Sequence, residues 1–308
     1  MRYLSMGTSG LQVSAVGLGC NELGRSVGLE DSREVIDAAL ESGITLFDTA
    51  DVYGESESFL GKCFEGRRER VVLATKFGHQ KLSMEYGPAA GSKGGRAYIR
   101  RAVEESLRRL RTDYIDLYQI HTPDPHTPVE ETLAALTELV REGKVRYIGS
   151  SNYAGWQIAE AACAARAHGF EPFVSAQNHW SLLERGIENE IVPAACHFGV
   201  GVLPYFPLAH GLLTGKVRRG KALPEGTRIA ESAHRVTKER LDTVEALADW
   251  GRRNGRSLLE IAISGLGALP GCGSVIAGAK RPEQVRANAA AGAWEPTADE
   301  LQAVLALL

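Results

Sequence analysis

The chain alternates between two hydrophobic patterns almost from end to end. Short, continuous apolar runs are separated by longer stretches whose apolar residues recur at the spacing of one helix face. The apolar runs fall at residues 13–18, 44–47, 71–75, 115–120, 145–149, 173–176, 200–205 and 274–277. Several lack any polar alternation, as parallel strands covered on both faces do. Between them the sequence predicts helices with recognisable ends. Asp31 followed by Glu34 reads as a capping box ahead of the stripe Val35, Ile36, Ala39 and Leu40, with Gly43 as the stop. Thr127, Pro128 and Glu130 read as N-cap, first helical residue and third helical residue. That helix presents Leu133, Leu136 and Val140 and stops at Gly143, and Val103, Leu107 and Leu110 mark another.

Eight strand–helix units with no linker between them predict one α/β domain over residues 1–308. The expected architecture is a single (β/α)8 TIM barrel with extra C-terminal helices. Residues 2–14 have the pattern of a hairpin turning at Thr8, Ser9 and Gly10, placed as a plug at the barrel bottom. The competing architecture, an open doubly wound sheet, lacks its dinucleotide fingerprint: Gly17 and Gly19 are followed only by Gly24, out of register for GxGxxG. Residues 78–96 and 206–238 are long for loops inside a compact domain, and such loops are usually functional.

Composition narrows the function without naming it. Lys and Arg total 35 against 38 Asp and Glu, so a net charge of −3 gives no basic surface for nucleic acid or an anionic membrane. The cysteines, Cys20, Cys63, Cys163, Cys196 and Cys272, are scattered, odd in number and form no CxxC. A disulfide framework and a cysteine-rich zinc module are thereby excluded, and a reducing, cytoplasmic compartment is expected. No apolar run is long enough for a signal peptide or a membrane span.

In a (β/α)8 barrel the chemistry gathers where the strands end. Asp48 follows the second run with Tyr53 five residues on; Lys76 follows the third and His121 the fourth. Singly, each has a structural reading: a helix cap, a rim aromatic, an ion-pair partner, a core histidine. Together an acid, a lysine, a tyrosine and a histidine converge on one mouth. Asp48 is a natural partner for a buried Lys76. The ammonium lowers the phenol pKa of Tyr53, which then passes a proton to a developing alkoxide, while neutral His121 orients the same oxygen. This chemistry suits carbonyl reduction and still needs a hydride source.

The strings around these residues, FDTADVYGESE, LATKFG, YQIHTPDP and GSSN, with GLQVSAVGLGC near the start and IAGAKRPEQV near the end, resemble the aldo-keto reductase superfamily over essentially the whole chain. The resemblance implies the same barrel, a nicotinamide cofactor held across its mouth, and hydride transfer to the carbonyl of an aldehyde or ketone. It implies Tyr53 as general acid, with Asp48, Lys76 and His121 completing a catalytic tetrad. Ser151, Asn152 and Gln177 match residues that bind the carboxamide, and Tyr205 the aromatic that stacks on the nicotinamide. Cys20 and Asn21 are placed beside the cofactor. The segment containing Leu208, Gly211 and Lys216 resembles the one that folds over the pyrophosphate, and Arg228 a further cofactor contact. It also mimics a P-loop, but is one residue short between its glycines, and Val217 stands where Ser or Thr is needed.

Gly278, Lys280 and Arg281 precede Pro282 at a helix start, where free N–H groups attract an anion. A 2′-phosphate satisfies them, so NADP(H) is expected over NAD(H). Gln284 and Asn288 match adenosine contacts, whereas Ala287 stands where many members of the family have Glu. Asn21, Tyr86 and Trp180 are assigned to the wall of the substrate pocket, and His179 is placed beside them. No metal is expected: His121, Asp124 and His126 are separated by prolines and lack a third ligand site. The arginines of residues 96–111 read as a solvated, ion-paired face. The expected partner is a small carbonyl compound. The alternatives are an NAD(P)+-dependent sugar or polyol dehydrogenase and, from another class, an NADPH-binding regulatory subunit.

Overall fold

The computed structural model describes every residue of the chain except Ser83, Glu85 and Arg218. Two short antiparallel strands, β1 (Tyr3–Ser5) and β2 (Gln12–Ser14), form the hairpin. Eight parallel strands follow: β3 (Val16–Gly19), β4 (Leu46–Asp48), β5 (Val72–Phe77), β6 (Ile115–Ile120), β7 (Val145–Ser151), β8 (Phe173–His179), β9 (Gly201–Tyr205) and β10 (Val275–Gly278). Each neighbours the next in chain order, and β10 pairs with β3. Between β9 and β10 the ring is completed just ahead of β10, where Val202 N donates to Gly271 O (2.7 Å) and Gly273 N to Val202 O (2.8 Å).

The helices are α1 (Leu29–Glu41), α2 (Ser56–Cys63), α3 (Arg96–Leu110), α4 (Val129–Arg141), α5 (Gly155–His168), α6 (Ile191–Phe198), α7 (Arg228–Glu231), α8 (Lys238–Arg253), α9 (Leu258–Glu260), α10 (Pro282–Ala291) and α11 (Ala298–Leu305). No described helix is long and apolar enough to cross a membrane. The main core lies between strands and helices. A second cluster fills the barrel itself, where Leu46, Ala74, Leu117, Leu203 and Ile276 meet Met6, Leu11 and Val13 of the hairpin. Met6 is fully buried there. The hairpin is thus bound to the barrel by apolar burial.

Several boundaries differ from the sequence expectation, for local reasons. Residues 13–18 are not one strand: Val13 and Ser14 belong to β2, and Ser14 Oγ, accepting from Thr45 N (3.0 Å), marks the corner. The helix read from Asp31 begins at Leu29, with Gly28 as N-cap and no side-chain cap; Asp31 lies in its first turn, where the helix dipole favours an acid. Pro128 is the N-cap of α4, because the Thr127 hydroxyl donates to Asp124 Oδ2 (2.8 Å) instead of capping. Finally, β4, β5, β7, β8 and β10 run past the apolar stretches, so Asp48, Lys76, Ser151, Gln177 and Gly278 sit on strands. The ladder sets strand length, and polar side chains that find partners do not end it.

Candidate active site

The strand ends bring the four residues of the expected tetrad together. Asp48 closes β4, Lys76 is one residue short of the end of β5, and His121 follows β6 directly. Tyr53 is held by the turn before α2, in which its N donates to Ala50 O (3.1 Å). Lys76 is fully buried. Its Nζ donates to both Asp48 carboxylate oxygens at 2.8 Å and to Thr49 O at 2.6 Å, which uses all three of its N–H donors. Asp48 Oδ1 accepts a further bond from Gln177 Nε2, at 2.8 Å. Lys76 Nζ lies 5.2 Å from the centre of the Tyr53 ring, and the His121 ring stands edge-on to Tyr53 at 5.7 Å.

Burial alone would weaken the Lys76 ammonium, but the charge and hydrogen bonds of Asp48 more than offset it and hold its pKa above the ordinary lysine value. Tyr53 departs from expectation. Burial raises its pKa, Lys76 pulls it down, and Asp48 and Asp51 push it up again, so the phenol ends above its ordinary value. Burial is the largest cause, and Asp48 offsets part of the charge Lys76 presents. His121 is driven down to about 2, by burial first and then by Lys76 and His79. It is therefore a neutral imidazole at physiological pH.

Asp48, Tyr53, His79 and His121 line a cavity of about 380 Å3, whose lining does not include Lys76. Ser151, Asn152, Gln177 and Tyr205 line it too, together with Cys20, Asn21 and Gly278. Asn152 adopts a left-handed φ of 60°. Three bonds hold it there: its N donates to Gln177 O (3.0 Å), its Nδ2 to His121 O (2.9 Å), and its Oδ1 accepts from Tyr205 Oη (2.8 Å). Such strain persists only where surroundings over-determine it. Tyr205 also stacks on His179, 5.4 Å away and nearly coplanar. Cys20 lines the cavity, but its thiol donates to Leu18 O and burial pushes it up, leaving it inert.

A second cavity of about 480 Å3 shares Phe206, Arg228 and Gly278 with the first and reaches Lys280, Arg281 and Gln284 at the start of α10. Leu208, Gly211 and Lys216 line it. Pro282 is the first residue of α10, as expected. A nicotinamide dinucleotide carries an amide at one end and phosphates at the other. The two cavities present amide-binding groups at one end and cations at the other, so the residues fit that group.

Several candidates stand apart. Trp180 is fully buried and donates through Nε1 to Glu188 (3.0 Å), so it is packed wall outside both cavities. Tyr86 packs edge-on against Tyr98 at 5.1 Å, away from the cavity. Asn288 lies beneath the second cavity, its Nδ2 3.5 Å from Gly278 O. Arg228 is engaged already, donating to Glu22 at 2.5 Å and to Asn21 at 3.4 Å.

Sequence reading missed Glu22, which accepts from Arg228, from Ser26 (2.6 Å) and from Lys280 (3.0 Å). Burial pushes its pKa up, but these three donors outweigh that and hold it at about 2. It also missed His79, edge-on to His121 at 4.6 Å. Extending the strand-end search by three residues past Lys76 finds His79; no local pattern marks Glu22.

The sequence profile of the Aldo/keto reductase family matches residues 15–308. The chain is 40% identical over 296 residues to the Bacillus subtilis (strain 168) protein named Uncharacterized oxidoreductase YrpG, covering 93% of this chain and 89% of that one. It is 34% identical to Aldo-keto reductase YhdN of the same organism, covering 100% of this chain and 94% of the relative. Probable aldo-keto reductase 1 of Glycine max is 40% identical over 220 residues, 69% of this chain and 61% of the relative. The chain belongs to the aldo/keto reductase family, whose members are NAD(P)H-dependent oxidoreductases acting on carbonyl compounds.

Proposed function

We propose that the protein is an NADPH-dependent reductase of aldehydes or ketones with Tyr53 as general acid. The observation that carries this reading is Tyr53 beside a lysine clamped by Asp48, facing an uncharged His121. When bound, the cofactor supplies the hydride that the carbonyl carbon accepts. The chain supplies the rest. Tyr53 gives its proton to the oxygen that becomes an alkoxide, and Lys76 stabilises the phenolate left behind. His121, neutral, hydrogen-bonds that oxygen and orients it.

Ser151, Asn152 and Gln177 hold the carboxamide, with Tyr205 against the ring. Leu208, Gly211, Lys216 and Arg228 face the pyrophosphate. Lys280 and Arg281, ahead of the amides of α10, take the 2′-phosphate, which favours NADP(H) over NAD(H). Gln284 and Asn288 are assigned to the adenosine end.

The test is NADPH consumption with 4-nitrobenzaldehyde. Tyr53→Phe is expected to lower kcat by roughly 10²- to 10⁴-fold while NADPH still binds with unchanged affinity. An unchanged rate removes Tyr53 from the mechanism.

A further inference from the structure

Next to the tetrad in the chain, and absent from the lining of either cavity, lies a buried cluster that the reaction described above does not use. Asp51 belongs to the same turn as Tyr53, is 3% exposed, and its carboxylate finds no side-chain hydrogen-bond partner among the described residues. Its backbone is fixed directly on the lysine strand, Asp51 N donating to Lys76 O at 3.0 Å. Glu57 of α2, 1% exposed, faces it. Glu57 is fully engaged: Thr75 Oγ1 donates to it at 2.6 Å and Arg109 of α3 at 2.7 Å. The one nearby guanidinium is therefore bound to the other acid. Arg109 still draws the Asp51 pKa down, as do a backbone hydrogen bond from Val52 and the charge of Lys76 of β5, and the phenols of Tyr53, Tyr86, Tyr98 (α3) and Tyr118 (β6) feel the Asp51 charge. Tyr118 Oη is itself buried without a partner.

An isolated buried carboxyl beside a like charge is stabilised as the neutral acid. Burial first, and Glu57 second, push Asp51 up to about 7. Its charge state therefore changes within the working range of the enzyme. Asp51 also acts on Tyr53 in one direction only: its negative charge raises the phenol pKa.

We propose that Asp51 is a positioning residue for proton transfer, a buried acid whose neutral form leaves the field of Lys76 on Tyr53 intact and whose ionised form weakens Tyr53 as a proton donor. This rests on the reading of Tyr53 as general acid. The sign follows. Below pH 7 Asp51 is neutral and Tyr53 is the stronger acid; above pH 7 the added negative charge disfavours the phenolate that reduction leaves behind, and reduction slows.

Single-turnover reduction of 4-nitrobenzaldehyde by the NADPH-loaded enzyme, followed from pH 6 to pH 8, reads this directly. The wild-type rate is expected to fall about fivefold across that range, whereas Asp51→Asn keeps a flat profile and unchanged NADPH affinity. A variant that loses rate equally at every pH has lost only structure, and that result overturns the proposal. Should Asp51→Asn not fold, carboxyl-carbon NMR of wild type labelled with 13Cγ-aspartate decides the matter: one aspartate titrating near pH 7 supports the assignment, and none titrating between 6 and 8 overturns it. Tyr53→Phe run alongside separates the two ideas. If it keeps the full rate, the general-acid reading fails; if it loses the rate while the wild-type and Asp51→Asn profiles coincide, only the role of Asp51 fails.

Discussion

The two ends of the long cleft are built by opposite means. At the tetrad end the polar groups stand on strands and the turns directly after them, and Asp48, Lys76 and Gln177 are buried and bonded to one another before any ligand arrives. Lys76, Asp48 and Gln177 form a closed set. At the α10 end the polar groups stand on loops, are half exposed, and are bridged by one carboxylate, Glu22, with a side chain 18% exposed. Among the described residues, four of the five non-glycine residues with positive φ lie at this cleft: Asn152 on the tetrad side, and Phe206, Ala209 and His210 on the segment over the second cavity. The first end is arranged to keep charges in place without water. The second is arranged to exchange one set of anionic partners for another. Removing a group should therefore damage folding and chemistry together at the first end, and binding alone at the second.

The largest effect is expected at Lys76. Lys76→Met strands the Asp48 carboxylate in the barrel, and breaking such a buried pair costs about 3–5 kcal/mol. Urea unfolding should register that loss, together with a fall in kcat of at least about 10²-fold. A variant of normal stability would show that the two ends do not differ as described. Next come Lys280→Ala and Arg281→Ala combined, expected to weaken NADPH about 10- to 100-fold, or ~1.4–2.8 kcal/mol. NADH affinity and unfolding midpoint should stay as they were; equal weakening of both cofactors would remove the 2′-phosphate from this site.

A smaller effect is expected at Glu22. Its depressed pKa means that the pairing with Arg228 and Lys280 is complete above the ordinary carboxylate value of about 4.3 and is lost as pH falls through about 2. Glu22→Gln should therefore make cleavage of residues 206–238 by trypsin faster at neutral pH, with global stability changed by less than about 1 kcal/mol. Cleavage at the wild-type rate would show that the bridge does not hold this segment. The smallest signal is an absence of change. With His121 at about 2, cofactor binding should show no histidine inflection from it between pH 5 and 8, and an NMR titration of the His121 ring in that range would contradict its neutrality.

Much of this was legible in the sequence because barrels repeat one simple pattern. Continuous apolar runs followed by helical stretches, some with a glycine stop as at Gly43 and Gly143, give strand order and therefore the mouth, and the first polar residue past a run is by construction near it. Asp48, Lys76 and His121 were found that way. Trp180 was misplaced because an aromatic at a strand end can turn toward the cavity or into the wall; its indole N–H reaching Glu188 settled that. Asp31 and Thr127 were misplaced as caps because a capping side chain is local only when no better partner exists nearby, and Asp124 was such a partner for Thr127.

The amino-acid order alone determined the number of strands, their parallel closure and the four residue types gathered at one rim, because periodicity and strand ends are properties of neighbours in the chain. Only the folded molecule decided charge. Glu22 meeting Arg228 and Lys280, Gln177 reaching Asp48, and Asp51 left with Glu57 beside it are contacts between residues far apart in sequence or facing each other across a turn. Electrostatic energies depend on distance and on exclusion of water, and neither quantity is written in a one-dimensional pattern.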